Sequence, residues 1–188
     1  MNYTKFVSEP SFFSFLLEID RSTAIEAQKK SCAHCGGKLD RANFTRSGLG
    51  LPGTGDEEFL VRFSLCCRND GCRKRLTPES VRFLRGVSYA ALIIVLLAAL
   101  NNGPDAADGK KLAAMLKVSR QTVQRWIRWW RDHVISSPFW RVRRGNFMPS
   151  LLEENLPHSL IEYYKGMIVD GRDALVALLI FLGPLRLR

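Results

Sequence analysis

The sequence predicts a mainly α-helical fold interrupted by one small β segment, and three observations carry the prediction. Segments with helix-like apolar faces or runs fall near residues 12–30, 87–100, 110–133 and 146–184. Between 32 and 86 helical periodicity stops and glycine rises. There Phe59, Val61, Phe63, Leu65 and Cys67 alternate with polar or small residues, the period-2 signature of a half-buried strand. The same stretch carries all five cysteines, in two close groups. The 188 residues divide accordingly into an N-terminal helical segment (1–31), a small β segment (32–86), a three-helix segment (87–145) and a C-terminal helical segment (146–188).

In the first segment Ser8 and Pro10 suit a helix start, and Phe12, Phe13, Phe15, Leu16, Leu17 and Ile19 supply an apolar face. The helix is expected to reach Lys30. Two apolar runs, Val87–Leu100 and Ala174–Leu182, carry no charge. Both fall short of the roughly 20 residues a membrane span requires, so they read as buried core helices and no membrane is expected. MNYTKFVSEP lacks the basic start and apolar run of a secretory signal. The expected location is therefore the cytoplasm, where thiols stay reduced and bind metal more readily than they pair as disulfides.

Cys32-Ala33-His34-Cys35-Gly36-Gly37 is a tight CxxC turn. A second close pair follows about thirty residues later, either Cys67 with Cys72 or Cys66 with Cys72. Two such turns separated by strand-like sequence have the layout of a zinc ribbon. The shorter CxxxxC spacing favours Cys67, giving Cys32, Cys35, Cys67 and Cys72 as ligands of a structural Zn²⁺. Four thiolates would leave no coordination position open for catalysis. His34, between two ligands, is expected to point outward. Lys38–Thr45 has strand composition, Gly48–Gly55 reads as a loop, and Asn69-Asp70-Gly71 reads as a turn.

The third segment predicts helices over Tyr89–Leu100, about Lys110–Leu116 and Ser119–His133. Asn101-Asn102-Gly103-Pro104 stops the first, Asp105 or Asp108 caps the second, and Ser137-Pro138 ends the third. Val123, Trp126, Ile127 and Trp130 repeat at i, i+3, i+4, i+7. Arg120, Gln121, Gln124, Arg125 and Arg128 fall on the opposite face. A trihelical helix-turn-helix needs this pairing, because arginine can fork onto guanine and glutamine onto adenine in the major groove. The three tryptophans read as core, with Trp129 at its edge. In the last segment, Leu156-Pro157 with Ser159 and Asp170-Gly171 introduce two further helices, the second stopping at Gly183-Pro184.

The net charge of +10 points to a polyanionic partner. From Lys110 to Arg144 there are ten Lys or Arg and one acid, Asp132. Lys117, Arg141, Arg143 and Arg144 join the candidate DNA-binding residues. Together with Arg73, Lys74, Arg75, Arg82 and Arg85, the arginines after the third helix read as phosphate contacts. No phosphate-cradling glycine motif and no sheet that could gather Asp170, Asp173, Glu153, Glu154 and Glu162 around Mg²⁺ is legible, so no catalytic residue is expected.

CAHCGG, FSLCCRNDGCRKRLTPESVRFLRG and KLAAMLKVSRQTVQRWIRWWRD, with SPFW and FMP after them, resemble a group of short bacterial transposase-like proteins. In these a zinc ribbon precedes a helix-turn-helix. The ribbon is also similar to the N-terminal ribbons of insertion-sequence transposases. The resemblance spans about residues 12–184. It implies zinc on Cys32, Cys35, Cys67 and Cys72 and double-stranded DNA on the Arg120–Arg128 face. Unlike a full transposase, the chain shows no catalytic domain. The expected fold class is mainly α with a small β zinc ribbon, that is, a zinc ribbon plus a trihelical helix-turn-helix and C-terminal helices. The expected function is non-catalytic DNA binding at the nucleoid, as a transposase-like or accessory protein of a mobile element. The alternatives are a transcriptional regulator and an interaction module, with the apolar terminal helices docking a partner protein or a second copy.

Overall fold

The structure, a computed structural model, describes residues 4–7, 9–46, 57–84, 90–102 and 106–185. Ser8, the Gly48–Gly55 loop, Arg85, Tyr89, Gly103, Pro104 and Asp105 lie outside the described residues. The chain is mainly helical, with a small antiparallel sheet and a cysteine cluster. After a short turn of helix, α1 (Thr4–Val7), α2 runs from Pro10 to Lys29. Pro10 opens it where its missing N–H costs nothing. Phe12, Phe13, Leu16, Leu17, Asp20 and Ala24 form its buried stripe.

Among its described residues the β segment holds five short strands, β1 (Leu39–Arg41), β2 (Phe44–Thr45), β3 (Val61–Arg62), β4 (Leu65–Cys67) and β5 (Arg75–Leu76). One sheet has the order β1-β4-β5, and β2 pairs with β3 in a second; all pairings are antiparallel. The single strand expected from Glu58 to Cys67 is instead a 3₁₀ turn at Glu57–Leu60 followed by β3 and β4. The break between them reverses the alternation. Arg62 and Ser64 face inward, and Phe63 is half-buried. Backbone carbonyls accept from Arg62, so its buried guanidinium is not an orphan. Alternation resumes in β4, where Leu65 and Cys67 are buried and Cys66 is not.

Helix α3 (Ala91–Asn102) is apolar on every side and sits at the centre, with each residue from Ala90 to Leu100 buried. Such a helix must be enclosed all round. Helices α4 (Ala106–Met115), α5 (Arg120–Trp129) and α7 (His158–Met167) pack on it, and α8 (Gly171–Leu182) packs on α7. One continuous core runs from Val7 to Leu185. Among the described residues no helix is long and apolar enough to cross a membrane.

Helix α4 begins earlier than expected, and Asp108 lies in its first turn rather than capping it. The expected third helix stays α-helical to Trp129 and continues as a π-helical turn, Trp130–Val134. Ser137 and Pro138 do not merely end it; they begin α6 (Pro138–Arg143), with Ser137 Oγ accepting from Trp140 N. The physical reason is that proline suits the first turn of a helix as well as it stops the preceding one. Asp170 caps α8 by accepting from the backbone N–H groups of Arg172 and Asp173.

Candidate metal centre and basic helix face

Two tight turns bring four cysteines together. In the first, Cys32 N donates to Gly37 O and Gly36 N to Cys32 O, both at 2.8 Å. Gly36 has φ +71°, a left-handed conformation that a side chain would strain. A Cβ on Gly37 would lie 3.2 Å from Cys67 Sγ and 3.3 Å from Cys35 Sγ, so glycine lets the backbone pass close to both sulfurs. In the second turn, Cys72 N and Arg73 N donate to Asn69 O, and Gly71 N donates to Asn69 Oδ1. Pairing of β1 with β4 sets Leu39 opposite Cys67 and closes the two turns on each other.

The Sγ atoms of Cys32, Cys35, Cys67 and Cys72 all lie within 4.8 Å of one another. Cys32 and Cys72 are 3.8 Å apart, and Cys35 and Cys67 are 3.4 Å apart. Tetrahedral thiolates about 2.3 Å from one ion stand roughly 3.8 Å apart, so the donor set fits a metal. Cys66 lies outside the cluster, its Sγ directed at Arg73 O. The β4 alternation turns it away, which decides the choice between the two adjacent cysteines. His34 is exposed.

The thiols are not equivalent. The backbone N–H of His34 holds Cys32 down to about 7, against the opposing effect of burial. Burial pushes Cys67 up to about 12. At Cys72 the Lys74 N–H lowers the pKa, but burial and the neighbouring thiols outweigh it and the net shift is upward. Among the described residues, the apolar cluster beside the sulfurs is Cys32, Leu39, Leu65 and Cys67, with Ala27 and Cys72 against it. So small a core needs a further tie, and a metal held by four thiolates would supply one.

No protein-family model matches the chain, and neither a curated protein nor a solved structure does.

Helix α4 ends in a Schellman arrangement: Val118 N donates to Ala113 O and Lys117 N to Ala114 O. Lys117 takes the left-handed position usually given to glycine, with φ 54°. Ser119 then caps α5, its Oγ accepting from Thr122 N at 3.2 Å. Val123, Trp126, Ile127 and Trp130 are buried. Trp129 is half-buried, its ring edge-on to Trp130. Lys117, Arg120, Gln121, Gln124, Arg125 and Arg128 are exposed. No acid lies within α5. Among the described residues Lys117, Arg120 and Arg125 have no ion-pair partner, and Arg128 Nε donates to Gln124 O at 3.5 Å.

The arginines after α5 differ from one another. Arg141 is exposed, Arg144 pairs with Glu153 at 3.3 Å, and the guanidinium of Arg143 lies over the rings of Phe139 and Phe181. In the β segment, Arg73 faces Asp70 at 3.6 Å and Arg75 lies over Phe44. Lys74 is exposed.

Arg82 corrects the expectation of a phosphate contact. It is fully buried and paired with Asp20 of α2. The cue was present in the sequence. Asp20 falls on the apolar stripe of α2, between Leu16 and Ala24, and Arg82 stands among Val81, Phe83 and Leu84. Opposite charges at two apolar positions signal a buried pair.

Proposed function

We propose that the chain is a non-catalytic DNA-binding protein in which a zinc ribbon and a helix-turn-helix act together, of the transposase-like or accessory kind carried by mobile elements. The observation that carries the reading is the outer face of α5. It is exposed, free of acids, and offers Arg120, Gln121, Gln124, Arg125 and Arg128 over a buried stripe. A face meant only for solubility mixes signs, whereas this one offers the donor groups that read base edges. Packing of α4 and α5 on α3 is what a trihelical reader requires.

Four sulfurs with these separations suit Zn²⁺ in a closed structural site. The bound ion would hold the two turns of the ribbon together, and Lys74 and the arginines beside it would meet phosphates. The carboxylates nearest to a nuclease role have other work: Asp170 caps α8, and Glu153 accepts from Trp140 Nε1 and pairs with Arg144.

The test is selection of a preferred duplex from a random pool, followed by fluorescence anisotropy. Arg125→Ala should cost about 1–3 kcal/mol at the selected site and relax its sequence preference. Arg141→Ala should weaken selected and random duplexes alike and flatten the salt dependence. Equal binding of all duplexes by the Arg125→Ala variant and the unaltered protein would refute the reader.

A further inference from the structure

The angle between α4 and α5 holds a groove of about 430 Å³, within the size range of small-molecule sites. It exists because α4 turns small residues toward it. Ala106, Ala113 and Ala114 recur with Lys110 at i, i+4, i+7, i+8, along one stripe. Opposite stand Arg120 and Gln124 from the first turns of α5. Val118 and Val123 close the groove, and both are otherwise shut off from solvent. Thus one wall is apolar and the rim is cationic. Among the described residues no carboxylate lines the groove, and neither Lys110 nor Arg120 has an ion-pair partner.

We propose that this groove binds a small amphipathic anion, a monocarboxylate with an apolar body. The carboxylate would bridge Lys110 and Arg120, and the body would lie on the alanines and valines. The site stands on the groove and its lining. Only its coupling rests on the DNA reading above. Arg120 and Gln124 belong both to the groove and to the predicted base-reading face. A ligand that engages them from the groove withholds them from DNA, and by linkage DNA weakens the ligand to the same degree. Such a protein responds to a metabolite, which is the behaviour of a regulator.

The probes are 3-phenylpropionate, indole-3-acetate and octanoate, with 3-phenylpropanamide as the neutral control. Binding is followed by amide chemical-shift changes in the full-length protein. At least one carboxylate should shift signals of Lys110, Ala114, Val118 and Gln124, and the amide should not. Ala114→Leu, at an exposed helix position where leucine is well tolerated, should fill the groove and abolish these shifts. Lys110→Gln should weaken binding about fivefold. No shifts with any carboxylate, or shifts that persist in Ala114→Leu, would overturn the site. Equal binding of the amide would overturn the anionic class. In a second arm, a saturating carboxylate should weaken binding to a selected duplex about tenfold. An unchanged DNA affinity would overturn the coupling while leaving the DNA reader standing. No DNA binding even without the probe would overturn the reader, and the coupling with it, leaving the site to be judged on the first arm.

Discussion

Arg82 Nε lies 2.8 Å from Asp20 Oδ2, and both side chains are closed off from solvent. The pair is fully hydrogen-bonded. Asp20 also accepts from Ser80 Oγ and from Val81 N at 2.7 Å. The other guanidinium nitrogens donate to Phe59 O and Val61 O at 2.7 and 2.8 Å. One ion pair thus ties α2 to the segment before α3, to the 3₁₀ turn at Phe59 and to β3. Burial lowers the pKa of Arg82, and the adjacent Asp20 carboxylate opposes that shift. Asp20→Asn should destabilise the protein by about 3–5 kcal/mol, because it leaves a cation buried without its partner. Replacing both residues together, Asp20→Leu with Arg82→Met, should cost less than the two single changes summed. Urea unfolding of the four proteins checks this.

Gly109 sets how closely α4 approaches α3. A Cβ there would lie 2.6 Å from Asn101 Nδ2 and 2.9 Å from Asn101 N. Alanine is worth up to about 1 kcal/mol more than glycine in a helix interior. Here the clash with backbone should outweigh that gain, so Gly109→Ala should lose roughly 1–2 kcal/mol. A thermal melt that rises instead would show that the helices can part without cost.

The cysteine geometry predicts which thiols hold metal. The purified protein should carry one tightly held Zn²⁺, and Cys66→Ser should keep it, whereas Cys67→Ser should lose it. Elemental analysis after dialysis reads the outcome. Metal must displace protons from these thiols, Cys67 above all, since burial pushes it to about 12 in the metal-free site. Apparent affinity should therefore fall as pH is lowered, and the site should empty on acidification. Competition with a chromophoric chelator from about pH 8 down to about pH 6 measures the slope.

Lys117 holds a left-handed backbone conformation that glycine would adopt without strain. Lys117→Gly should stabilise the fold by about 0.5–1 kcal/mol. If the cation is retained for phosphate contact, the same change should weaken DNA binding without altering sequence preference. A variant that is more stable and binds DNA as before would remove Lys117 from the interface.

Much of the architecture was legible in local patterns. Ser119 and Asp170 mark helix starts, because a short side-chain oxygen before an apolar stripe can satisfy the first free N–H groups. The paired cysteine turns were legible because two ligands must come from one tight bend. The i, i+3, i+4, i+7 stripe of α5 was legible because burial follows helical period. The strand run at Glu58–Cys67 misled because its pattern contains no sign of the break before β4.

What the sequence by itself determined is therefore local: where helices begin, which face of each is apolar, and which cysteines can share a turn. Only the tertiary structure decided relationships between segments. Spacing only favours Cys67 over the adjacent Cys66, and pairing of β4 with β1 is what brings Cys67 into the sulfur cluster and leaves Cys66 out of it. Arg82 and Asp20 each stand at an apolar position, but only the packing of α2 sets them side by side, some sixty residues apart in the chain. The groove beside α5 is formed by alanines of another helix. Local rules act over one turn of backbone, whereas burial and ion pairing depend on which distant surfaces meet.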